Sequence, residues 1–362
     1  MKVLIAGGGT GGHLYPGIAV AREIVARDPR ATVTFAGTAR GIEARVIPRE
    51  GFALDLLRSG GLKGKSLATR ARGFLVLPAS GVDAWQIISR RSPDVVIGVG
   101  GYSSGAVVLM AALRRIPTML LEQNAVPGLT NRLLARVVDA AAVTYESSLD
   151  WFRGRGFVSG NPVRPGFFRP QAVSGEAAGH PVRVLIVGGS QGAHAINVAL
   201  VEAAPRLAAA ARRLDITHQT GERDLDLVRE GYRRAGLAAR VEPFLHDLET
   251  ELPAADVLVS RAGATTLAEI TAAGRPSVLI PLPTATDDHQ RKNAAVLGEG
   301  GAAAVIDQSA LTPEALATTL LDLVGDEARR TAMGRAARSF ARPDAARVIV
   351  DRALALARGE GR

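Results

Sequence analysis

Two stretches of the chain share one hydrophobic and polar signature. Lys2-Val3-Leu4-Ile5-Ala6-Gly7-Gly8 and Arg183-Val184-Leu185-Ile186-Val187-Gly188-Gly189 are short apolar runs that end in glycines and lead into amphipathic stretches. A run apolar on both faces predicts a buried parallel strand. The change to helical spacing after glycine predicts a tight turn into a helix. The first helix is predicted over 16–27, with Pro16 in its first turn, and the second over 193–213. Further strands are predicted at 32–36, 94–99, 118–121, 240–242, 257–260 and 277–280, with helical patterns between them. Two such openings, one in each half, predict two doubly wound α/β domains in tandem. The stretch 154–181 is rich in Pro and Gly, includes Asn161-Pro162-Val163-Arg164-Pro165, and reads as the interdomain linker.

Composition narrows this picture only a little. A length of 362 residues suits two domains, and 47% hydrophobic with 22% charged residues is ordinary for a globular chain and argues against disorder. Lys and Arg outnumber Asp and Glu by 44 to 35, and the resulting +9 favours anionic partners without choosing among them. There is no cysteine, which excludes disulfides, thiolate metal sites and a cysteine nucleophile and suits a cytoplasmic protein. The N-terminus carries no apolar stretch of signal-peptide length, and the run from Gly105 to Leu113 falls far short of the ~20 residues of a membrane span. Any membrane contact is expected to be peripheral. Nucleic-acid binding is disfavoured, since the charge comes with no recognition motif and aromatics make up only 4%.

The chemistry concentrates in glycine loops. Gly7-Gly8-Gly9-Thr10-Gly11-Gly12-His13, Gly98-Val99-Gly100-Gly101-Tyr102-Ser103-Ser104-Gly105 and Gly188-Gly189-Ser190-Gln191-Gly192 each follow a predicted strand and precede a helix. Glycine lets backbone N–H groups approach a phosphate, and the helix behind offers its positive end. One such loop is as readily a plain strand-to-helix turn; three in one chain are harder to dismiss. Loops from two domains facing a shared cleft would serve two diphosphates. Gly7, Gly9 and Gly12 formally satisfy the dinucleotide fingerprint, but the second strand ends Phe35-Ala36-Gly37-Thr38 without the ribose-binding acid; Asp28 precedes it and Glu43 lies well beyond. A nicotinamide enzyme is therefore disfavoured. No loop carries the Gly-Lys-Ser/Thr of a P-loop. Asp224-Leu225-Asp226 reads as a solvated helix start rather than a metal site, and no metal or other cofactor is expected. Helix ends and backbone N–H groups would then stabilise a leaving phosphate.

Taken in order, the motifs form a series. The glycine loops are joined by Glu122-Gln123-Asn124-Ala125-Val126-Pro127-Gly128-Leu129-Thr130-Asn131, Gly160-Asn161-Pro162-Val163-Arg164, Arg261-Ala262-Gly263-Ala264-Thr265-Thr266-Leu267-Ala268-Glu269 and Asp287-Asp288-His289-Gln290. This series closely resembles the MurG family, the GlcNAc transferases of bacterial peptidoglycan synthesis in glycosyltransferase family 28. The match runs from residue 1 to about 345. The resemblance implies a GT-B fold, with two Rossmann-like domains, an interdomain cleft and the donor mainly on the second. It implies domains over 1–163 and 164–342, with 343–362 as a helix returning to the first. It also implies an inverting hexosyltransferase at the cytoplasmic face of the bacterial plasma membrane. GlcNAc would pass from UDP-GlcNAc to the C4 hydroxyl of undecaprenyl-diphospho-MurNAc-pentapeptide (lipid I), giving lipid II.

Site roles follow from the same resemblance. His13 and Glu122 are the candidate bases for the attacking hydroxyl, each with a structural alternative: phosphate binding or helix capping for His13, a turn role for Glu122. Gly12, His13, Gly101, Tyr102 and Ser103 would meet the acceptor diphosphate. UDP-GlcNAc would be held by Thr10, Gly11, Gly12, Asn124, Arg164, Ser190, Leu245, Ala264, Thr265, Thr266, Glu269, His289 and Gln290. Among these, Leu245 would read the uracil through its backbone, Glu269 would accept from both ribose hydroxyls, and His289 and Gln290 would bond the sugar.

The segment Leu62 to Pro78 sets Lys63, Lys65, Arg70 and Arg72 among apolar residues, and Leu67, Phe74, Leu75 and Trp85 would form a patch suited to an anionic bilayer. An ordinary exposed helix is the alternative. The rival functional readings are another GT-B enzyme, such as a glycolipid glycosyltransferase or a UDP-GlcNAc 2-epimerase, and a silent sugar-nucleotide binder.

Overall fold

The computed structural model describes residues 1–58, 67–169, 180–189 and 192–360; within these, the side chains of 67–78, Tyr102, Arg212 and Thr286 stand outside the description. The chain forms two compact units, Met1–Val163 with Arg342–Arg362, and Arg164–Ala341. Each is a doubly wound α/β sheet.

Unit 1 runs β1 (Lys2–Gly7), α1 (Gly11–Arg27), β2 (Thr32–Thr38), α2 (Glu43–Arg49), β3 (Ala53–Leu57), α3 (Leu67–Arg91), β4 (Val95–Gly100), α4 (Tyr102–Leu113), β5 (Thr118–Glu122), α5 (Leu129–Leu134), β6 (Ala140–Val143) and β7 (Gly156–Val158). All pairs are parallel, in the order β3-β2-β1-β4-β5-β6-β7. Order reverses between β1 and β4, and loops after these strands leave the sheet on opposite sides of one crevice, the place where such sheets take ligands. Val3 and Ile5 face one apolar layer with Leu14, Ile18 and Ile24 of α1, while Leu4 and Ala6 face another with Val107 and Val108 of α4. Alternation across a strand buried on both faces thus builds both layers.

Unit 2 runs β8 (Val182–Val187), α6 (His194–Ala208), β9 (Leu214–Gln219), α7 (Leu225–Arg234), β10 (Arg240–Glu242), α8 (Leu248–Ala254), β11 (Val257–Ser260), α9 (Ala264–Ala273), β12 (Ser277–Leu279), α10 (His289–Glu299), β13 (Ala303–Val305), α11 (Pro313–Gly325) and α12 (Glu327–Ser339). Its parallel order β10-β9-β8-β11-β12-β13 reverses between β8 and β11. The last helix, α13 (Ala345–Ala357), belongs to unit 1. There Ile349, Val350, Ala353 and Leu356 join the core beneath α1, and Asp351 pairs with Arg27 at 2.5 Å.

Three local readings need correction. Helix α1 begins at Gly11, so Pro16 lies inside it and His13 stands in its first turn. Burial of Leu14, Gly17, Ile18 and Ala21 against the sheet outweighs the poor helix propensity of Gly11 and Gly12. The Pro/Gly-rich stretch is not all linker: Gly156–Val158 adds the edge strand β7, while 170–179 lie outside the described residues. Asp224 is buried rather than solvated, bonded to His194 and Asn197.

Candidate active site

In unit 1 three loops meet at the carboxyl ends of the neighbouring strands β1, β4 and β5. The first is held from below by a carboxylate. Glu43, 1% exposed, accepts from the Gly9 N–H at 2.8 Å and from the Thr38 N–H and hydroxyl at 2.9 Å each. Thr10 follows in extended conformation with no side-chain cap on α1, so the helix start is left to the backbone of Gly11 and Gly12. His13 projects from this turn, and its Nδ1 lies 3.1 Å from Oε1 of Gln123. Its ring packs against Gly100. A Cβ at Gly100 would stand 2.8 Å from the His13 Nδ1, and the φ of +101° there already favours glycine. Gly101 then opens α4, whose first turn contains Tyr102 and buried Ser103.

Glu122 ends β5 and is 3% exposed. One carboxylate oxygen accepts from the Asn124 N–H at 3.0 Å and the Asn124 side-chain amide at 3.1 Å. The other accepts from the Gly128 N–H at 3.0 Å and the Asn131 amide at 2.9 Å. Four donors on two oxygens make this side chain the clamp of the 122–131 loop. Gln123 is equally buried, and its amide nitrogen donates to the Val99 carbonyl at 3.2 Å.

In unit 2 the assigned residues stand on the loops after β8 and β10, in helices α9 and α10 after β11 and β12, and at Arg164 ahead of β8. Gln219 donates to the carbonyls of Gly189 and Pro243, at 2.9 and 3.1 Å, and so fixes the glycine loop beside the loop that contains half-buried Leu245. Ser190 lies outside the described residues. Gly192 must be glycine: its φ is +73°, and a Cβ would fall 2.0 Å from the Thr220 carbonyl. Helix α9 starts at Ala264 behind Gly263, which has no side chain to cap it, and Ala264, Thr265 and Thr266 form its first turn. Such an end favours an anion.

Glu269 stands further along α9. Burial pushes its carboxyl up to about 7; Arg164 opposes the rise and Glu249 adds to it. The turn Pro165–Phe168 packs on α8 and α9 and brings Arg164 to Glu249, an ion pair of 2.7 Å. Gln290 has its amide oxygen on two backbone N–H groups, Ala262 at 3.2 Å and Leu282 at 3.0 Å, and so ties the loop after β11 to the loop after β12. His289 opens α10 behind Asp287 and Asp288, both at positive φ.

The structure thus gathers Thr10–His13, Gly101–Ser103, Glu122 and Asn124 in unit 1, and Arg164, Leu245, Ala264–Thr266, Glu269, His289 and Gln290 on the loop side of unit 2. Sequence reading assigned no role to Gln123, Gln219 or Glu43, whose bonds set the loops in place. Gln123 stands inside the Glu122–Asn131 motif and is legible there; Glu43 carries no such signal, since it lies beyond the end of β2.

The N-terminal domain model of glycosyltransferase family 28 matches residues 3–143, and the C-terminal domain model of the same family matches 183–349. The chain belongs to glycosyltransferase family 28. A relative from Anaeromyxobacter sp. (strain K) is 46% identical over 99% of this chain and 94% of its own length. Another, from Geobacter sulfurreducens, is 46% identical over 99% and 100%. Both are named UDP-N-acetylglucosamine–N-acetylmuramyl-(pentapeptide) pyrophosphoryl-undecaprenol N-acetylglucosamine transferase. The crystal structure of Acinetobacter baumannii MurG is 31% identical with a TM-score of 0.80, over 98% of this chain and 99% of that one. A UDP-GlcNAc 2-epimerase from Neisseria meningitidis, bound to UDP-GlcNAc, has a TM-score of 0.70 over 98% and 100% at 15% identity, which is a likeness of fold alone. The GT-B fold read from the motifs is the fold of this family 28 chain.

Proposed function

We propose that this chain transfers GlcNAc from UDP-GlcNAc to the C4 hydroxyl of undecaprenyl-diphospho-MurNAc-pentapeptide, with inversion, in peptidoglycan synthesis. The observation that carries this reading is 46% identity across nearly the whole chain to transferases so named. It separates this chain from the epimerase, with which it shares a fold at 15% identity.

In this reading unit 2 takes the donor. The N-terminal end of α9 and the half-exposed Arg164 meet the diphosphate, Glu269 accepts from the ribose hydroxyls, and His289 and Gln290 meet the sugar. Unit 1 takes the acceptor, with the N-terminal ends of α1 and α4 toward its diphosphate. His13 is the base that removes the proton from the attacking hydroxyl. Glu122 is unsuited to that task, because both oxygens already accept bonds that a proton would disrupt. Charge developing on the departing UDP is met by helix ends and the Arg164 guanidinium, without a metal ion.

Labelled GlcNAc transfer to a lipid I analogue, with chelator present and UDP-GalNAc as control, tests this. Acceptor-dependent, chelator-insensitive transfer selective for UDP-GlcNAc is expected; UDP-GlcNAc binding without transfer would overturn it. We place the enzyme at the cytoplasmic face of the membrane, docked on anionic lipid. No helix among the described residues is long and apolar enough to cross a bilayer. Trp85 is 52% exposed beneath the Arg114 guanidinium, 4.7 Å from its ring centroid. Lys63 and Lys65 lie outside the described residues, as do the side chains of Leu67, Arg70, Arg72, Phe74 and Leu75. Cosedimentation with anionic but not neutral vesicles is expected.

A further inference from the structure

We propose that Gln123 is a positioning residue that sets the tautomer of His13, holding the proton on Nδ1 so that Nε2 is the basic nitrogen. The inference rests on the reading of His13 as the base. It begins from the amide of Gln123, which is 2% exposed and can be oriented in only one way. One end lies 3.2 Å from the Val99 carbonyl, an acceptor, so that end is the NH2 group. The other end, 3.1 Å from the His13 Nδ1, is therefore the amide oxygen. An amide oxygen cannot donate, so Nδ1 carries the hydrogen in this contact, and a neutral imidazole then keeps its lone pair on Nε2.

The surroundings reinforce the assignment. Gly100 packs against the Nδ1 and Cε1 edge of the ring, where a side chain would collide. His13 stands in the first turn of α1, a helix that holds its Cα in place. Two nearby carboxylates hold loops: Glu43 holds Gly9 and Thr38, and Glu122 holds Asn124, Gly128 and Asn131. A base oriented by a third group is a recurrent arrangement. Here the third group is a neutral amide, which fixes the tautomer without adding a negative charge.

The test combines 15N NMR of the His13 ring, assigned by comparison with His13→Gln, with pH–rate profiles of kcat. In the wild type the neutral ring is expected as the Nδ1–H form. Gln123→Leu is expected to release it toward a mixture with Nε2–H and to lower kcat about tenfold or more, with the donor KM within about twofold. Gln123→Glu keeps an acceptor at Nδ1 and adds a charge that stabilises imidazolium. It should retain the tautomer and move the acid limb of kcat to higher pH by about one unit. A wild-type proton on Nε2, or a Gln123→Leu protein with unchanged tautomer and kcat, would overturn the proposal. Transfer at the wild-type rate by His13→Ala would instead overturn the base assignment, while the NMR result would still decide the tautomer.

Discussion

The two units share a layout, a doubly wound parallel sheet with its ligand loops at the carboxyl ends, yet they use their carboxylates differently. In unit 1, Glu43 and Glu122 are buried and saturated by loop donors, so each holds a loop in shape. In unit 2, Glu269 is governed by burial and by two charges, Arg164 and Glu249, and its pKa stands near neutrality at about 7. The first arrangement fixes the loops on either side of His13. The second holds a carboxyl that burial moves toward neutrality. Like folds therefore do not imply like duties for acidic residues at equivalent loops.

The largest effect should come from removing the base. His13→Ala is expected to lower kcat by about 10²–10⁴-fold, with UDP-GlcNAc affinity, measured by calorimetry, nearly unchanged. If Glu122 is a clamp, Glu122→Ala should cost about 2–4 kcal/mol of stability in denaturant unfolding, because several loop donors lose their acceptor. A normally stable Glu122→Ala protein with a collapsed kcat would instead make it a base and erase the contrast between the units.

Glu269→Ala should weaken UDP-GlcNAc binding by about 10–100-fold through loss of charge-assisted bonds to the ribose. The pH dependence sharpens this. The ionised carboxylate is the form that accepts from hydroxyls, so donor affinity should fall as pH drops through about 7, and Glu269→Ala should flatten that slope. For stability the sign is opposite. A carboxyl raised in the folded state binds its proton more tightly than in the unfolded chain. Its contribution is therefore full at acid pH and lost as pH rises through about 7.

The smallest effect belongs to Glu249→Gln. Its pair with Arg164 is partly exposed, so stability should change by less than about 1 kcal/mol. Because Glu249 helps raise the Glu269 pKa, the acid limb of donor binding should move to lower pH. An unmoved limb would show that Glu249 does not contribute, leaving burial and Arg164 to set Glu269.

The sequence by itself determined the architecture, because the signals involved are local. Apolar runs ending in glycine, as at Val3–Gly8 and Val184–Gly189, already encode buried strand, turn and helix. Ordered motifs likewise marked most candidate residues. Short edge strands such as Gly156–Val158 are not legible in the sequence, because three residues carry too little pattern and pairing with β6 makes them strands. Only the tertiary structure decided what the side chains do. Glu122 became a clamp, Glu43 a support for Gly9, and Gln123 the partner of a histidine 110 positions away. Hydrogen-bond partners and burial are set by which strand ends lie side by side, and no local pattern records that neighbourhood.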